Sequence, residues 1–340
     1  RVVTNDDMSR IMDTSDEWIT TRSGVRQRHF AEPGVGASDL GAAAGLAAVA
    51  DAGLQPADID LLVTATMTPD SFAPGISALT QSKMGLLSVP AYDIRQQCRG
   101  FLYGMDLADA MLSSGRARNA LVIGAETHAG FLPFGESWDV LIHPAKPRAS
   151  QAEYERLSQY RGWAVLFGDG AGAMVLQPSD DPESGILSRS LHTDGSYFDL
   201  IHVPGVGFKN QPYIDAAQLE AEVHLPSMRG RELFKQAVTR MPESVVVAAA
   251  DAKVDLDDVK LVIAHQANAR IVEGVRRGLK LEPHQVPINI DRYGNTTAGT
   301  LPILFHEQRQ AGAVSPGATV AFTAYGAGAH WGTVMYRQAG

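Results

Sequence analysis

The chain has 340 residues, of which 45% are hydrophobic and 20% are charged, and its formal net charge is −9. At about 150 residues per domain, this length indicates about two domains or one large one, with a core that needs no disulfide or metal to hold it. The acidic balance, without a basic stripe, argues against nucleic acid as a partner. Cys98 is the only cysteine, which excludes an intramolecular disulfide and fits a reducing cytosol.

No apolar run reaches the roughly 18 residues of a membrane-spanning helix, and no signal peptide is recognisable. The sequence begins at Arg1 rather than at a methionine, so we expect that a piece of the natural N-terminus is missing. These features predict a cytoplasmic protein with no membrane partner.

Apolar runs of strand length alternate with Ala-rich amphipathic stretches along the chain. In chain order, the predicted strands are residues 61–65, 91–94, 120–125, 170–176, 261–264, 320–324 and 332–336. The predicted helices are residues 37–52, 76–84, 99–113, 231–252 and 267–278. Apolar strands separated by helices are typical of an α/β architecture, in which both faces of a sheet are covered.

The second half of the sequence repeats the first. The segment DIDLLV at 58–63 matches DVKLVI at 258–263, PAYDI at 90–94 matches PINID at 287–291, and LVIGA at 121–125 matches VAFTA at 320–324. Three matches in the same order, each separated by nearly 200 residues, indicate two copies of one unit packed as a pseudo-dimer. We place the halves at 1–177 and 178–340; the alternative is a similarity of general α/β composition.

The repeat predicts where polar residues meet. Cys98 falls opposite Ala298, shortly after Asn295, and His265 falls opposite Ala65. Equivalent strand ends and helix starts of two pseudo-symmetric halves converge near the axis that relates them. We therefore expect Cys98, His265 and Asn295 in a single site.

Each of these residues also has a structural interpretation. A cysteine at a helix N-terminus is expected to have a lowered pKa and a reactive thiolate, although many buried cysteines are inert. His265 directly follows a strand, which favours function, although most single histidines are structural. Asn295 lies among Gly and Thr, where asparagine commonly caps a turn. The order Cys, His, Asn also occurs in papain-like proteases, but the local protease signature around the cysteine is absent.

Two glycine-rich segments lie at the ends of predicted strands, one directly after the strand 320–324 and one at the start of the strand 170–176. YGAGAHWG at 325–332 can bring backbone N–H groups close to a substrate oxygen, or can form a tight hairpin. FGDGAGA at 167–173 lacks the spacing of a dinucleotide-binding fingerprint, and the chain has no phosphate-binding loop. The histidines show no metal-ligand spacing, so no metal site is expected.

The combination of motifs resembles β-ketoacyl-acyl-carrier-protein synthase III, a family of the thiolase superfamily. Cys98 with Gly100 and Phe101, HQANAR at 265–270 and GNT at 294–296 resemble its three active-site motifs. DTSDEWI at 13–19, TRSGV at 21–25 and FGDGAGA at 167–173 resemble its other signatures, so the resemblance covers essentially the whole chain. It implies a thiolase-like α/β fold, two pseudo-symmetric halves in a five-layered αβαβα arrangement. Members usually begin with a strand upstream of the position of Arg1.

The resemblance implies an acyltransferase that condenses an acyl-CoA primer with malonyl-acyl-carrier-protein, losing CO2 and initiating fatty acid synthesis. Cys98 would carry the acyl group, His265 and Asn295 would stabilise the enolate, and the backbone N–H groups of Cys98 and Gly328 would form the oxyanion hole. No metal or other cofactor is implied, and a homodimer is expected. The alternatives are a specialised condensing enzyme or acyltransferase of secondary metabolism, or a non-catalytic subunit of a heterodimeric synthase.

The resemblance also assigns binding roles. The residues implied in CoA binding are Thr14, Trp18, Arg22, Arg161, Gly230 and Phe234. Those implied in docking the acidic carrier protein are Lys235, Arg270, Arg276 and Arg277.

The sequence departs from the family pattern in four places. Ala73 stands where many members have a phenylalanine that limits chain length, which predicts a longer acyl pocket unless Phe72 replaces it. Arg99 follows the nucleophile where a small residue is usual, and could raise the thiolate population, contact a substrate carboxylate or point away. Arg231 replaces a usual asparagine. The stretch 131–159 looks long, and could reshape the acyl pocket or cover a dimer interface.

Overall fold

The computed structural model describes all residues, 1–340. Its twelve strands are β1 (Val2–Thr4), β2 (Gln27–His29), β3 (Leu61–Ala65), β4 (Ala91–Ile94), β5 (Ala120–Glu126), β6 (Gly170–Leu176), β7 (Gly185–Thr193), β8 (Ile201–His202), β9 (Ser227–Met228), β10 (Val259–Ala264), β11 (Thr319–Gly326) and β12 (His330–Arg337). Its thirteen α-helices are α1 (Asn5–Met8), α2 (Asp16–Ser23), α3 (Ala37–Asp51), α4 (Ser77–Met84), α5 (Gly100–Ser113), α6 (Trp138–Ile142), α7 (Gln151–Ser158), α8 (Arg161–Ala164), α9 (Ala216–Glu220), α10 (Gly230–Asp251), α11 (Ala269–Leu279), α12 (Ile290–Tyr293) and α13 (Thr300–Gln310).

Two four-stranded sheets carry the repeat. The first has the order β4-β3-β5-β6, with β3 parallel to β4 and β5, and β6 antiparallel to β5. The second has the order β10-β11-β12-β7, with β10 parallel to β11 and the later pairs antiparallel. The register is also repeated, because Leu61 pairs with Ala120 and Leu261 pairs with Val320. The two pseudo-symmetric halves expected from the sequence are therefore confirmed.

The layers follow from which faces are apolar. A buried cluster between the sheets joins α5 and α13 to the inner face of both, with Phe101 and Leu102 of α5 and Leu301 and Leu304 of α13 fully buried. Helix α3 packs on the outer face of the first sheet, and α10 and α11 pack on the outer face of the second. The result is the five-layered αβαβα arrangement of a thiolase-like fold. Burying each large apolar side chain contributes roughly 1.5–3 kcal/mol, so the shared middle layer binds the halves into one unit.

All seven predicted strands and all five predicted helices are present in the structure with the predicted class. Strands β3, β4 and β6 have the predicted bounds, and the predicted helices differ by only a few residues at their ends. The boundary between the proposed halves, at 177/178, lies in the connection from β6 to β7. No helix combines the length and the apolar character needed to cross a membrane.

Two long elements were missed, for identifiable reasons. Strand β7 places Ser188 and Ser190 at its buried positions, so it lacks the apolar alternation that marks a strand. Helix α13 contains Pro302 in its first turn, which reads as a helix breaker although the first turn needs no N–H donor there.

The segment 131–159 forms the short helices α6 and α7. Its side chains Phe134, Leu141 and Leu157 are buried in a cluster with Phe30 and other residues of the N-terminal part of the chain. The segment therefore packs as part of the N-terminal half, beside the cavities described below.

Candidate active site

Cys98 lies in a three-residue 3-10 turn, Gln97–Arg99, between the end of β4 and the start of α5. The turn begins at Gln97 with a φ of +48°, a left-handed value that residues with side chains seldom adopt. Gly326 packs directly on the cysteine, because a Cβ at position 326 would lie 3.0 Å from the Cβ of Cys98. A glycine at the end of β11 therefore leaves room for the buried thiol.

The second half has an equivalent turn. Residues Thr297–Gly299 form a 3-10 turn that leads into α13, and this turn also begins with a left-handed residue, since the φ of Thr297 is +41°. Cys98 and Ala298 are thus at matching positions in the two halves, as the repeat predicted.

His265 is the first residue after β10, and its backbone N–H donates to the carbonyl of Thr323 at 2.8 Å. The side chain is buried, and neither ring nitrogen has a hydrogen-bond partner. Burial lowers the pKa of His265 to about 3. The imidazole is therefore neutral at pH 7, with one nitrogen able to donate a hydrogen bond and the other able to accept one.

Asn295 is fixed by its backbone and by one side-chain oxygen. Its N–H donates to the carbonyl of Leu166 at 2.7 Å, and its own carbonyl accepts from Gly168 at 3.1 Å. Its Oδ1 accepts from the backbone N–H of Thr297 at 2.9 Å. The side-chain amide nitrogen, which has no protein acceptor, remains as a free donor.

The three residues line one cavity of about 520 Å³. Most of its walls are apolar, with Phe167, Leu233 and Phe234 among the lining residues, and the backbone of residues 326–328 also faces it. In an apolar cavity, donors aimed at a developing negative charge contribute more than they would in water. The cavity therefore combines a thiol, a neutral imidazole and a free amide donor.

The thiol of Cys98 is protonated in this arrangement. Burial raises the pKa of Cys98 to about 12, and the buried carboxylate of Glu126 adds to the rise. The sequence predicted a lowered pKa for a cysteine at a helix N-terminus, and this prediction is wrong. Helix α5 begins only at Gly100, and a helix terminus stabilises a nearby charge by about 0.3–1 kcal/mol, which is less than one pKa unit. The effect of burial on the thiol is therefore larger. The thiol must therefore lose its proton when the sulfur attacks a thioester.

The residues expected to bind CoA fall into two groups. Gly230 and Phe234 line the cavity. The guanidinium groups of Arg22 and Arg161 lie 4.4 and 5.0 Å from the ring centre of Trp18, so Arg161 must move aside before an adenine can lie between it and the indole. The cluster adjoins the cavity, since the carbonyl of Arg22 accepts from the side chain of the lining residue Asn268 at 2.8 Å.

Thr14 does not line this cavity. Its hydroxyl is buried and has no hydrogen-bond partner.

The four basic residues expected to dock a carrier protein are not equally available. Arg276 and Arg277 both pair with Glu273, at 2.7 and 2.5 Å, so part of their charge is neutralised. Arg270 lies over the ring of Phe234 at 5.6 Å, beside the cavity, and Lys235 has no ion pair. Lys235 and Arg270 therefore present the freer charges.

The expected acyl-pocket residues Phe72 and Ala73 do not line the cavity of their own chain. Phe72 is 53% exposed and packs against Phe208, with ring centres 5.0 Å apart. Met67 and Phe131 line the cavity instead, and both also line a neighbouring cavity of about 1070 Å³. Sequence reasoning missed both residues; the only signal was the unusual segment that starts at 131.

Arg99 points away from the thiol. Its side chain is buried, donates to the carbonyl of His192 at 3.0 Å and lies 4.6 Å from the ring centre of Tyr103. Of the three interpretations of Arg99, the structure supports the one in which it contacts neither thiolate nor substrate. Arg231 is exposed on the first turn of α10 and does not line the cavity.

We expect alkylation of Cys98 by iodoacetamide to accelerate about tenfold per pH unit between about pH 7 and about pH 10, because only the thiolate reacts and its fraction rises tenfold per unit below the pKa. Free cysteine, with a pKa of about 8.5, levels off within this range and serves as the reference. The Cys98→Ala variant gives the background. If the alkylation rate of Cys98 levelled off near pH 8.5, the pKa of its thiol would not be raised above that of free cysteine.

Comparison with known proteins identifies the family. A sequence-family model described as 3-oxoacyl-[acyl-carrier-protein] synthase III matches residues 92–142 and 135–195. A second family model, described as the C-terminal part of the same synthase, matches residues 249–338. The beta-ketoacyl-[acyl-carrier-protein] synthase III of Roseiflexus castenholzii is 39% identical over 337 residues, which cover 99% of this chain and 94% of that protein.

Solved structures agree. The crystal structure of 3-oxoacyl-[acyl-carrier-protein] synthase III from Aquifex aeolicus has a TM-score of 0.83 at 36% identity, covering 99% of this chain and 96% of that one. The crystal structure of the priming β-ketosynthase of the R1128 polyketide pathway has a TM-score of 0.85 at 28% identity, and the match covers 100% of this chain and 92% of that one. The chain therefore belongs to the β-ketoacyl-acyl-carrier-protein synthase III family, and it is an acyltransferase with a condensing role in fatty acid synthesis.

Proposed function

We propose that the protein condenses an acyl-CoA primer with malonyl-acyl-carrier-protein. The sulfur of Cys98 attacks the thioester carbon of the primer, the bond to the CoA sulfur breaks, and CoA leaves as the thiol. Loss of CO2 from the malonyl group then leaves its electron pair as an enolate. The enolate carbon attacks the acyl-cysteine, the bond to Cys98 breaks, and its sulfur regains a proton. The products are 3-oxoacyl-acyl-carrier-protein, CO2 and CoA.

The observation that carries this proposal is the pairing of neutral donors with a buried thiol. An enolate oxygen gains negative charge as CO2 leaves, and neutral His265 and the Asn295 amide can both donate to it. A charged imidazolium would instead favour the carboxylate of the substrate before it reacts. The backbone N–H groups of Cys98 and Gly328 are proposed as the oxyanion hole for the attack on each thioester.

The electron pair for the new carbon–carbon bond comes from decarboxylation. The proposed reaction therefore requires neither a metal nor a redox cofactor, and its small-molecule participants are substrates.

The surroundings of the cavity support the two substrates. Trp18, Arg22 and Arg161 offer an aromatic face and positive charge to the nucleotide of CoA, while Gly230 and Phe234 leave an apolar route for its pantetheine arm. Lys235 and Arg270, with Arg276 and Arg277 further along α11, offer positive charge to an acidic carrier protein. Thr14 is included in the proposed CoA site only through the family resemblance.

We also propose that primers longer than acetyl are accepted. Ala73 supports this only through the family resemblance, in which many members have a phenylalanine at this position that limits chain length, because Ala73 does not line the cavity here. Met67 and Phe131 line both the active-site cavity and the second cavity of about 1070 Å³, which offers space for a longer chain.

A specialised condensing enzyme is the second candidate. The structural likeness to a polyketide priming ketosynthase supports it, and retention of the thiol, histidine and asparagine is compatible with either pathway. The same retention argues against a non-catalytic subunit.

A cytoplasmic homodimer is proposed from the family. The outermost strand of the first sheet, β4, has one free edge and an exposed Tyr92, so a second copy could pair with it. Light scattering of the full chain should then give about twice the 36.4 kDa of one copy, and a value near that of one copy would contradict a dimer.

We expect His265→Ala and Asn295→Ala to retain acylation of Cys98 by acyl-CoA but to release CO2 from malonyl-acyl-carrier-protein at least about 100-fold more slowly, because each removes a donor to the enolate. Acylation is followed by intact mass, and decarboxylation by labelled CO2. His284→Ala, on an exposed turn, is the control.

A fourth variant, Lys235→Glu, tests docking of the carrier protein rather than stabilisation of the enolate. It should raise KM for the carrier-protein substrate while leaving acylation by acyl-CoA unchanged. Equal loss of both half-reactions in His265→Ala and Asn295→Ala would contradict the assigned roles.

A further inference from the structure

A second histidine lines the active-site cavity and takes no part in the proposed reaction. His330 is the first residue of β12, and it pairs across the hairpin with Gly326, the last residue of β11. Side chains at directly opposed positions lie on the same face of a sheet, and the Cβ position of Gly326 points at Cys98, 3.0 Å from its Cβ. The imidazole of His330 therefore lies on the face of the hairpin that is turned towards the nucleophile.

The imidazole edge packs directly on Gly328, in the turn of the same hairpin. Gly328 has a φ of +108°, and a Cβ on this residue would overlap Nε2 and Cδ2 of His330. A glycine has more backbone freedom than any other residue, so an outside contact is needed to hold it in one orientation. The ring occupies the space that a side chain would take, and it thereby restricts the peptide of Gly328.

Two side chains fix the imidazole in its turn. Nδ1 of His330 is hydrogen-bonded at 2.7 Å to the hydroxyl of Thr193, on the neighbouring strand β7. The ring of Tyr103, on α5, meets the imidazole edge-on, with the ring centres 6.1 Å apart. The hydroxyl of Tyr103 lies 3.3 Å from the same oxygen of Thr193. The position of the imidazole is therefore set from both the second sheet and the middle helix layer.

The buried Arg99, which departs from the family pattern, supports this cluster. Its guanidinium lies 4.6 Å from the ring centre of Tyr103 and donates to the carbonyl of His192 on β7. Burial and the charge of Arg99 both lower the pKa of His330, so the imidazole is neutral at pH 7. A neutral ring acts on its neighbours through its shape and its hydrogen bond rather than through charge.

We propose that His330 is a positioning residue for the oxyanion hole: held by Thr193, its imidazole keeps the N–H of Gly328 directed at the thioester oxygen that gains charge. The inference rests on the proposed function, in which that N–H stabilises the attack on acyl-CoA. His330 acts through Gly328 and not on the reacting atoms. A donor that is already in place needs no reorientation during the reaction, so loss of the ring should slow the attack.

Two reactions of the same sulfur separate this role from others. Acylation by acyl-CoA passes through an oxyanion, whereas alkylation by iodoacetamide displaces iodide from a CH2 group and forms none. Both reactions need the thiolate of Cys98, and the raised pKa of this thiol comes from burial and Glu126 rather than from His330. A residue that only positions Gly328 therefore changes the rate of acylation and leaves the rate of alkylation unchanged.

Three variants test the proposal. His330→Ala removes the ring, whereas Thr193→Val removes its hydrogen bond and keeps a β-branched side chain of similar shape. Thr193→Ser keeps the hydroxyl and is the matched control, and because Thr193 is exposed, both of its variants leave the core intact. Each variant is compared with the unaltered protein in acylation by acyl-CoA, in alkylation by iodoacetamide at one pH and in thermal unfolding.

We expect His330→Ala to be acylated about 10- to 100-fold more slowly than the unaltered protein, up to the loss caused by removing one oxyanion donor. Thr193→Val should be acylated about 3- to 10-fold more slowly, the range of one neutral hydrogen bond. Both should be alkylated within about twofold of the unaltered rate. Thr193→Ser should match the unaltered protein in both reactions.

An equal fall of acylation and alkylation in His330→Ala would overturn the proposal, because it would indicate a role in forming the thiolate or in the fold. Unchanged acylation of His330→Ala, or identical acylation of Thr193→Val and Thr193→Ser, would also overturn it. If His330→Ala does not fold, the Thr193 pair decides alone. Failure of the underlying function would look different, because the unaltered protein would then be alkylated at Cys98 but acylated by no acyl-CoA.

Discussion

The structure depends on the close approach of two equivalent turns in its middle layer. The turns that begin at Gln97 and Thr297 each start with a residue of left-handed φ, contact each other and lead into the two central helices. Gly124 of β5 lies against the carbonyl oxygen of Ala298, where any Cβ would overlap it. Because the turns meet between two sheets, Cys98 from one half and the Asn295 segment from the other face the same buried cavity.

Burial in that layer also sets the electrostatics of the site. The same loss of solvent raises the pKa of Cys98 to about 12 and lowers the pKa of His265 to about 3, so both groups are neutral at rest. A neutral site suits a reaction in which charge appears only transiently on a thioester oxygen, since donors already in place need no reorganisation.

The two halves of the fold and the grouping of the three active-site residues were predictable, because they follow from an internal repeat and from short motifs in the sequence. The repeat placed Cys98, His265 and Asn295 together, and the motifs identified the family. What the sequence left open or predicted wrongly depends on residues distant in the chain. The direction of Arg99, one of three open alternatives, the exposure of Phe72 and the pKa of Cys98 are all set by packing against other segments.

The central claim is that Cys98 carries the acyl group between the two half-reactions. Intact-mass measurement of the protein after incubation with acyl-CoAs of increasing chain length tests it most directly. The account predicts one acyl adduct per chain with primers longer than acetyl, absent in Cys98→Ala and discharged when malonyl-acyl-carrier-protein is added. An adduct that persists in Cys98→Ala, or no adduct with any acyl-CoA, would contradict it.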